Sequence, residues 1–199
     1  MLNRALRLCI MAVALSFTTG AIAASSPTED VRTSVDAILM ILQNDELDKQ
    51  QKRAEISKIV SQRFDFRAMS QRTLATNWKK PSPEEKKQFI ELFSQLIESS
   101  YVGKIEAYTN EKVEFPGEKD KGKKAVVETL IITSSADVPV NYRMYQKGDQ
   151  WLVYDVIIEG VSLISNYRSS YQEIMKDEGF DGLLNKMQAK IDELSSATS

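Results

Sequence analysis

The sequence contains no histidine, and its single cysteine is Cys9. The missing histidines exclude Ser-His and Cys-His catalytic pairs and every metal site that uses imidazole. Because one cysteine cannot form a disulfide within the chain, no covalent cross-link holds the fold together. Stability must therefore come from packing.

Long apolar runs are scarce, and the longest lies near the N-terminus. Arg4 and Arg7 precede the run LCIMAVALSF, which is followed by TGAIA. This order of charge, apolar core and small residues is typical of a secretory signal, and Ala21 and Ala23 favour cleavage after Ala23. The core is shorter than the stretch of about 20 apolar residues that a membrane span needs. We therefore predict an exported chain in which residues 24–199 form a single domain.

The chain has no excess of positive charge. It carries 26 basic and 28 acidic residues, and loss of Arg4 and Arg7 with the signal would leave 24 basic residues. Such a balance provides no broad attraction for nucleic acid. No nucleic-acid partner is predicted.

Residues 26–109 have the pattern of helices. The segments S-P-T-E at Ser26 and S-P-E-E at Ser82 each combine a capping serine, a proline and a glutamate three residues after the serine. The second segment begins a long helix whose apolar side runs from Phe89 to Tyr108, and one or two helices are expected between these two starts.

From about residue 113 to 158 the apolar residues recur at every second position, as in strands, and no longer at helical spacing. We predict four strands over KVEF, KKAVVETLIITS, VPVNYRMYQ and DQWLVYDVII, with a hairpin at KGDQ that makes the last two strands antiparallel. The run WLVYDVII is apolar on both faces, which indicates packing on both sides of the sheet. Strict alternation places Trp151, Val153, Asp155 and Ile157 on one face and Leu152, Tyr154, Val156 and Ile158 on the other. Helices are expected over about 161–195, and the fold class is α+β.

Ser162 follows Gly160 in a strand-to-helix segment and has the position of a nucleophile. The nucleophile motif G-x-S-x-G requires a second glycine, however, and Ile164 stands there. With no histidine to act as a base, we interpret Ser162 as a helix cap.

Asp155 is a second candidate for chemistry. A buried carboxylate with Tyr142 or Tyr154 as hydrogen-bond donor could act as a general base. The alternative, which we favour, is a structural ion pair with Arg143 on the preceding strand. The segment DEGFDGLLNKMQ lacks two ligands of a calcium loop. No catalytic residue and no metal site is predicted.

Three long segments resemble the MlaC-type periplasmic phospholipid-binding proteins, also called the toluene-tolerance family. They are FDFRAMSQRTLATNWKKPSPEEKKQFIELFSQLIESSYVGKIEAY, VPVNYRMYQKGDQWLVYDVIIEGVSLISNYRSSYQEIM and GFDGLLNKM, and the most specific element runs from Trp151 to Ser162. One departure is visible after Leu74, where members of the family often carry glycine and this chain has Ala75.

The resemblance implies an NTF2-like curved antiparallel sheet that encloses, with a helical part, a deep apolar pocket for acyl tails. It implies a monomeric periplasmic carrier that needs no cofactor and moves phospholipid between an outer-membrane lipoprotein–porin complex and an inner-membrane ABC transporter with an MCE-domain ring. This traffic would maintain outer-membrane lipid asymmetry.

The rival hypotheses are an enzyme of the ketosteroid-isomerase type that uses Asp155, and a structural adaptor with a filled core. Strand and helix faces suggest ten residues for the pocket: Phe93, Ile97, Tyr101, Tyr142, Met144, Trp151, Val153, Val161, Leu163 and Ile164.

Overall fold

The computed structural model describes residues 26–107 and 112–197. The expected signal, residues 1–23, and Tyr108 lie outside these ranges. The helices are α1 (Pro27–Leu42), α2 (Lys49–Arg63), α3 (Phe66–Leu74), α4 (Pro83–Glu106), α5 (Leu163–Asp177) and α6 (Gly179–Ala197), with a 3₁₀ turn at Ala75–Lys79. The strands are β1 (Lys112–Asp120), β2 (Lys124–Ile132), β3 (Asp137–Lys147), β4 (Gln150–Ile158) and β5 (Val161–Ser162).

Side-chain caps set the starts of the helices. Ser26 Oγ accepts a hydrogen bond from the Glu29 amide, and Ser82 and Glu85 form the reciprocal capping box that the sequence predicts. Asp48 and Gln51 form a second box at the start of α2. Each box satisfies two donors that helix geometry leaves without partners.

The strands form one sheet in the order β1-β2-β3-β4-β5, and all neighbours are antiparallel. Helix α1 packs on β1, β2 and β4, whereas α3 and α5 pack on β4. The α+β class and the antiparallel sheet are therefore confirmed. The two-residue strand β5 adds to the four strands of the prediction.

A β-bulge in β4 corrects the predicted strand faces. Arg143 pairs with Asp155 but the next residue, Met144, pairs with Val153, so Tyr154 is an extra residue opposite β3. Such an insertion reverses the alternation beyond it. Val156 consequently packs in the same apolar cluster as Val153, and the prediction that they lie on opposite faces was wrong.

Two apolar clusters stabilise the fold. The first joins helices α3 to α6, with stacked Phe89 and Phe93 against Tyr171. The second lies on one sheet face, where Val31 of α1 packs with Val127 and Trp151. Within the described ranges, no helix is long and apolar enough to cross a membrane.

Candidate functional site

A cavity of about 1050 Å³ lies between the sheet and helices α2 and α4. Its volume is at the upper limit of the roughly 300–1,000 Å³ usual for pockets that hold drug-sized ligands. The sheet wall is made of six side chains from three neighbouring strands: Ile131, Val138, Val140, Tyr142, Val156 and Ile158.

Strand geometry explains why this wall is continuous. Val138, Val140 and Tyr142 are two residues apart on β3, so their side chains leave the same face of the sheet. The register places Val140 beside Ile158 and Tyr142 beside Val156 of β4. Because the bulge lies beyond these pairs, it leaves the wall unbroken.

Two helices form the opposite wall. Helix α4 contributes apolar side chains at helical spacing, among them Ile97, Tyr101 and Ile105. Helix α2 contributes a face of mixed polarity: Gln50, Arg53, Ala54, Ile56, Ser57 and Val60, with Phe64 just after the helix. Leu163 at the start of α5 also lines the cavity.

Polar residues gather at one end of the cavity. Where α2 begins and α4 finishes, the lining includes Gln50 and Lys104; Thr133–Ser135 of the β2–β3 turn, Glu159 and Ser195 of α6 are further polar lining residues. The residues toward the end of α2 and the middle of the strands are apolar. The cavity therefore suits an amphipathic molecule with its apolar part inside.

An ion pair joins the two helices at the polar end. Arg53 Nε and Nη2 donate to the two carboxylate oxygens of Glu106, with 2.9 Å between Nη2 and Oε2. The hydrogen bond with Arg53 lowers the pKa of Glu106, and the same bond raises the pKa of Arg53. Two-point contact of this kind holds an arginine in a defined orientation.

A second polar contact between α2 and α4 lies deeper. Ser57 Oγ donates to Glu98 Oε2 at 2.6 Å. Burial raises the pKa of the Glu98 carboxyl, and the hydrogen bond from Ser57 opposes that shift only in part. Glu98 is thus an acidic group in a largely apolar wall.

Four of the ten residues predicted for the pocket line this cavity. They are Ile97, Tyr101, Tyr142 and Leu163. Their contact with a ligand stays a prediction.

The other six predicted residues are not among the residues that line this cavity. Phe93 and Ile164 pack in the helical cluster, whereas Met144, Trp151 and Val153 pack in the cluster under α1. Val161 is 62% exposed on the short strand β5. Apart from Val161, hydrophobicity identified buried or half-buried positions, but it did not distinguish solid core from cavity wall.

The sequence reasoning missed the cavity face of α2. Arg53, Ser57, Val60 and Phe64 recur at intervals of three and four, which is the signal that could have revealed it. That signal was hidden because apolar periodicity was the criterion, and the polar residues Gln50, Arg53 and Ser57 interrupt this face.

Asp155 and Ser162 have structural roles, as predicted. Asp155 is buried, and its carboxylate accepts hydrogen bonds from Arg143 Nη1 at 3.0 Å, Ser162 Oγ at 2.8 Å and the Ile164 amide at 3.2 Å. Ser162 Oγ also caps α5 by accepting from the Ser165 amide. Tyr142 lines the cavity on the other sheet face, and Arg72 lies over the ring of Tyr154.

A smaller cavity of about 330 Å³ lies beside the polar end of the large one. It is lined by Leu42, Leu47, Lys49, Lys52 and Glu106. Glu106 thus faces the small cavity while its partner Arg53 faces the large one. In the part of the chain that the structure describes, no cluster of acidic groups could hold a metal ion.

Comparisons with known proteins agree with this geometry. Residues 32–189 match the family described as MlaC protein. The intermembrane phospholipid transport system binding protein MlaC of Haemophilus influenzae is 28% identical over 123 residues, which are 59% of this chain and 58% of that protein. The toluene tolerance protein ttg2D of Pseudomonas putida is 28% identical over 105 residues, or 52% and 49% of the two chains. The match thus spans about half of each curated relative.

The fold also has a solved counterpart. A phospholipid-binding protein from Ralstonia solanacearum, determined in complex with a phospholipid, superposes with a TM-score of 0.80 at 22% identity, over 86% of this chain and 99% of that one. The family match covers most of the chain, including both helices and all three strands that line the cavity. The chain belongs to the MlaC family.

Proposed function

We propose that this protein is a periplasmic phospholipid carrier that holds the acyl tails of its cargo in the cavity between the sheet, α2 and α4. The observation that carries the proposal is the polarity of that cavity, which is apolar along the strands and polar where α2 begins. Membership of the MlaC family supports it.

Physical chemistry sets what such a carrier must do. Two acyl chains contain roughly 30 methylenes, and at about 0.8 kcal/mol each their exposure to water would cost on the order of 24 kcal/mol. Only an enclosed apolar cavity can therefore keep a phospholipid in aqueous solution. The same cost makes unaided extraction from a bilayer slow.

Membrane-bound partners are accordingly part of the proposal. We propose that an outer-membrane lipoprotein–porin complex and an inner-membrane ABC transporter with an MCE-domain ring exchange lipid with a monomeric carrier, and that this traffic maintains outer-membrane lipid asymmetry. The name of the Haemophilus influenzae relative, an intermembrane phospholipid transport system binding protein, supports this arrangement.

The test is native mass spectrometry of the protein purified without detergent, followed by denaturation and identification of any released lipid. We expect a stoichiometric phospholipid adduct. A bare polypeptide mass, still bare after incubation with phospholipid vesicles and the membrane partners, would contradict the proposal.

Cavity-filling variants make this test specific. Ile131→Trp together with Val138→Trp places two large rings in the sheet wall, because these residues are paired across β2 and β3. The matched control, Leu130→Trp with Ile132→Trp, changes two half-buried positions on the other face of β2. Lipid occupancy should fall in the first variant and persist in the second.

The enzyme hypothesis is tested with the same measurement. Asp155→Asn removes the charge that a general base needs but retains an oxygen that can accept hydrogen bonds. We expect its lipid content to equal that of the unaltered protein. If the unaltered protein catalysed an isomerisation and the Asp155→Asn variant did not, the isomerase hypothesis would be favoured instead.

A further inference from the structure

Helix α2 is the least firmly held wall of the cavity. It has 15 residues and fully buries one of them, Ile56, whereas α4 fully buries five. Helix α2 packs along α1 and touches β4, but among the described residues its contacts with α4 are few. Little apolar surface would be exposed if α2 moved away from α4.

The two ends of α2 differ in their attachment. At the C-terminal end, Arg63 Nη1 lies 2.7 Å from Asp30 Oδ2 and donates to the Trp151 carbonyl at 2.9 Å. The Asp65 amide then donates to the Val153 carbonyl at 2.9 Å. These bonds hold the C-terminal end to α1 and the sheet, whereas near the N-terminal end Lys52 Nζ donates to the Leu42 carbonyl of α1 at 2.8 Å. A movement that parts α2 from α4 would therefore leave its C-terminal end on the sheet.

Toward its N-terminal end, α2 faces α4 across what we call the seam, defined by Arg53 and Ser57 on α2 and Glu98 and Glu106 on α4. Two polar contacts bridge it: the Arg53–Glu106 ion pair and the Ser57–Glu98 hydrogen bond. Because Arg53 lines the large cavity and Glu106 lines the small one, the ion pair is the partition between them. Its opening would join the two cavities.

The other walls are more firmly built. The strands of the sheet wall share ladder hydrogen bonds over most of their length. Helix α4 is locked by the stacked rings of Phe89 and Phe93 against Tyr171. A passage through either wall would break a ladder or a core, whereas among the described residues the seam is bridged by two hydrogen-bonded pairs, with Lys49 also attracting Glu106.

We propose that phospholipid enters and leaves the cavity through the seam between α2 and α4, and that the Arg53–Glu106 and Ser57–Glu98 contacts are the clasp that closes it. This inference rests on the proposed carrier function. Arg53 and Glu106 would then control the rate at which lipid is exchanged, because their hydrogen bonds must break before the acyl chains can pass.

A covalent lock tests the route. Ser57→Cys and Glu98→Cys are introduced together with Cys9→Ser, so that only the two new thiols react with a short bis-maleimide. Transfer of a fluorescent phospholipid from loaded protein to acceptor vesicles is then measured before and after cross-linking. We expect transfer to fall at least about tenfold after cross-linking, because movements of helices on the microsecond-to-second scale are then blocked.

The matched control places the same cross-link across the sheet. Glu128 and Asn141 are direct partners on β2 and β3 and are not among the residues that line the cavity. Glu128→Cys with Asn141→Cys should transfer lipid equally fast before and after cross-linking. Transfer that is equally fast in both cross-linked proteins would overturn the inference.

Weakening the clasp tests the same idea in the opposite direction. Arg53→Gln and Glu106→Gln should each accelerate lipid transfer by about tenfold, the factor expected when one charge-assisted contact is lost. The control Lys186→Gln breaks the exposed ion pair between Lys186 and Glu178, which is distant in sequence from the seam. This variant should leave the rate of lipid transfer unchanged. Unchanged rates in both seam variants would also count against the clasp.

The two proposals fail in different ways. If the unaltered protein never contains lipid, the carrier function is wrong. If it contains lipid and exchanges it regardless of the lock, the carrier function stands and the seam is not the route.

Discussion

Ala75 occupies a backbone conformation that is costly for any residue with a side chain. Its φ is 49° and its ψ is −121° at the end of α3. Strain of this kind costs roughly 1–3 kcal/mol, whereas the greater flexibility of glycine in the unfolded chain costs about 0.5–1 kcal/mol.

Ala75→Gly is therefore expected to raise the free energy of unfolding by about 1 kcal/mol. In a chain of this length that corresponds to a rise in Tm of roughly 2–4 °C, measurable by calorimetry. The neighbouring change Thr76→Gly serves as the control, because Thr76 has no positive φ and should lose stability. A less stable Ala75→Gly protein would contradict the argument from strain.

Glu98 makes stability depend on pH. Burial raises its pKa above the ordinary value of 4.5, so the folded state binds the proton more tightly than the unfolded state does. The stabilisation from this group is fully present below about pH 4.5 and is lost as the pH rises through the raised pKa. At neutral pH the ionised carboxylate is a net cost.

Glu98→Gln should consequently be more stable than the unaltered protein at pH 7, and this advantage should shrink at pH 4. Urea denaturation at the two pH values measures the difference. Glu91→Gln, an exposed position on the same helix, is the control and should show a much smaller dependence on pH. If Glu98→Gln were less stable than the unaltered protein at pH 7, the contacts of the carboxylate would stabilise the fold by more than its desolvation costs.

At the scale of elements, α2 and α4 differ in how they are stabilised although both line the cavity. Helix α4 buries Phe89, Phe93 and Ile97, and its N-terminus has a full capping box. Helix α2 has an equivalent box at Asp48 but little apolar burial. Local stability follows burial more than capping, because helices in proteins are held mainly by tertiary packing.

Hydrogen exchange should therefore separate the two helices. We expect amides in the middle of α2 to exchange faster than those in the middle of α4, and lipid loading to slow α2 more than α4. Mass spectrometry after deuterium labelling of loaded and lipid-free protein measures both effects. Equal protection of the two helices would indicate that α2 is held by interactions other than its packing.

At the scale of the whole molecule, a cavity of about 1050 Å³ between two cores leaves much apolar surface without protein contacts. A bound lipid would supply those contacts. A ligand at 100 times its dissociation constant stabilises the folded state by about 2.7 kcal/mol. For a domain of this size, that corresponds to a Tm higher by roughly 5–10 °C.

Removal of lipid should accordingly lower the Tm, and reloading from vesicles should restore it. Calorimetry of loaded, delipidated and reloaded protein measures the change. The Ile131→Trp/Val138→Trp variant offers a control, since it should respond little to lipid. A Tm that does not change with lipid content would place the ligand outside the cavity.

Local patterns in the sequence were enough to predict the elements. Caps at Ser26, Ser82 and Ser162 and the change of period after residue 112 depend on neighbours a few residues away, and the structure confirms them. The pairing of Asp155 with Arg143 was also predicted, but a regular hairpin would place Tyr154 opposite Arg143, and the bulge at Tyr154 is what brings Asp155 there. The family resemblance came from such local runs as well.

Only the tertiary structure decided where the cavity lies. The extra residue Tyr154 reversed the strand faces, which no alternation in the sequence reveals. Phe93 and Ile97 are both apolar and belong to the same core cluster on one helix, yet Ile97 also lines the cavity and Phe93 does not. The physical reason is that a cavity is a property of the distance between elements. Composition determines which side chains avoid water, whereas packing geometry determines whether protein or a ligand fills the space beside them.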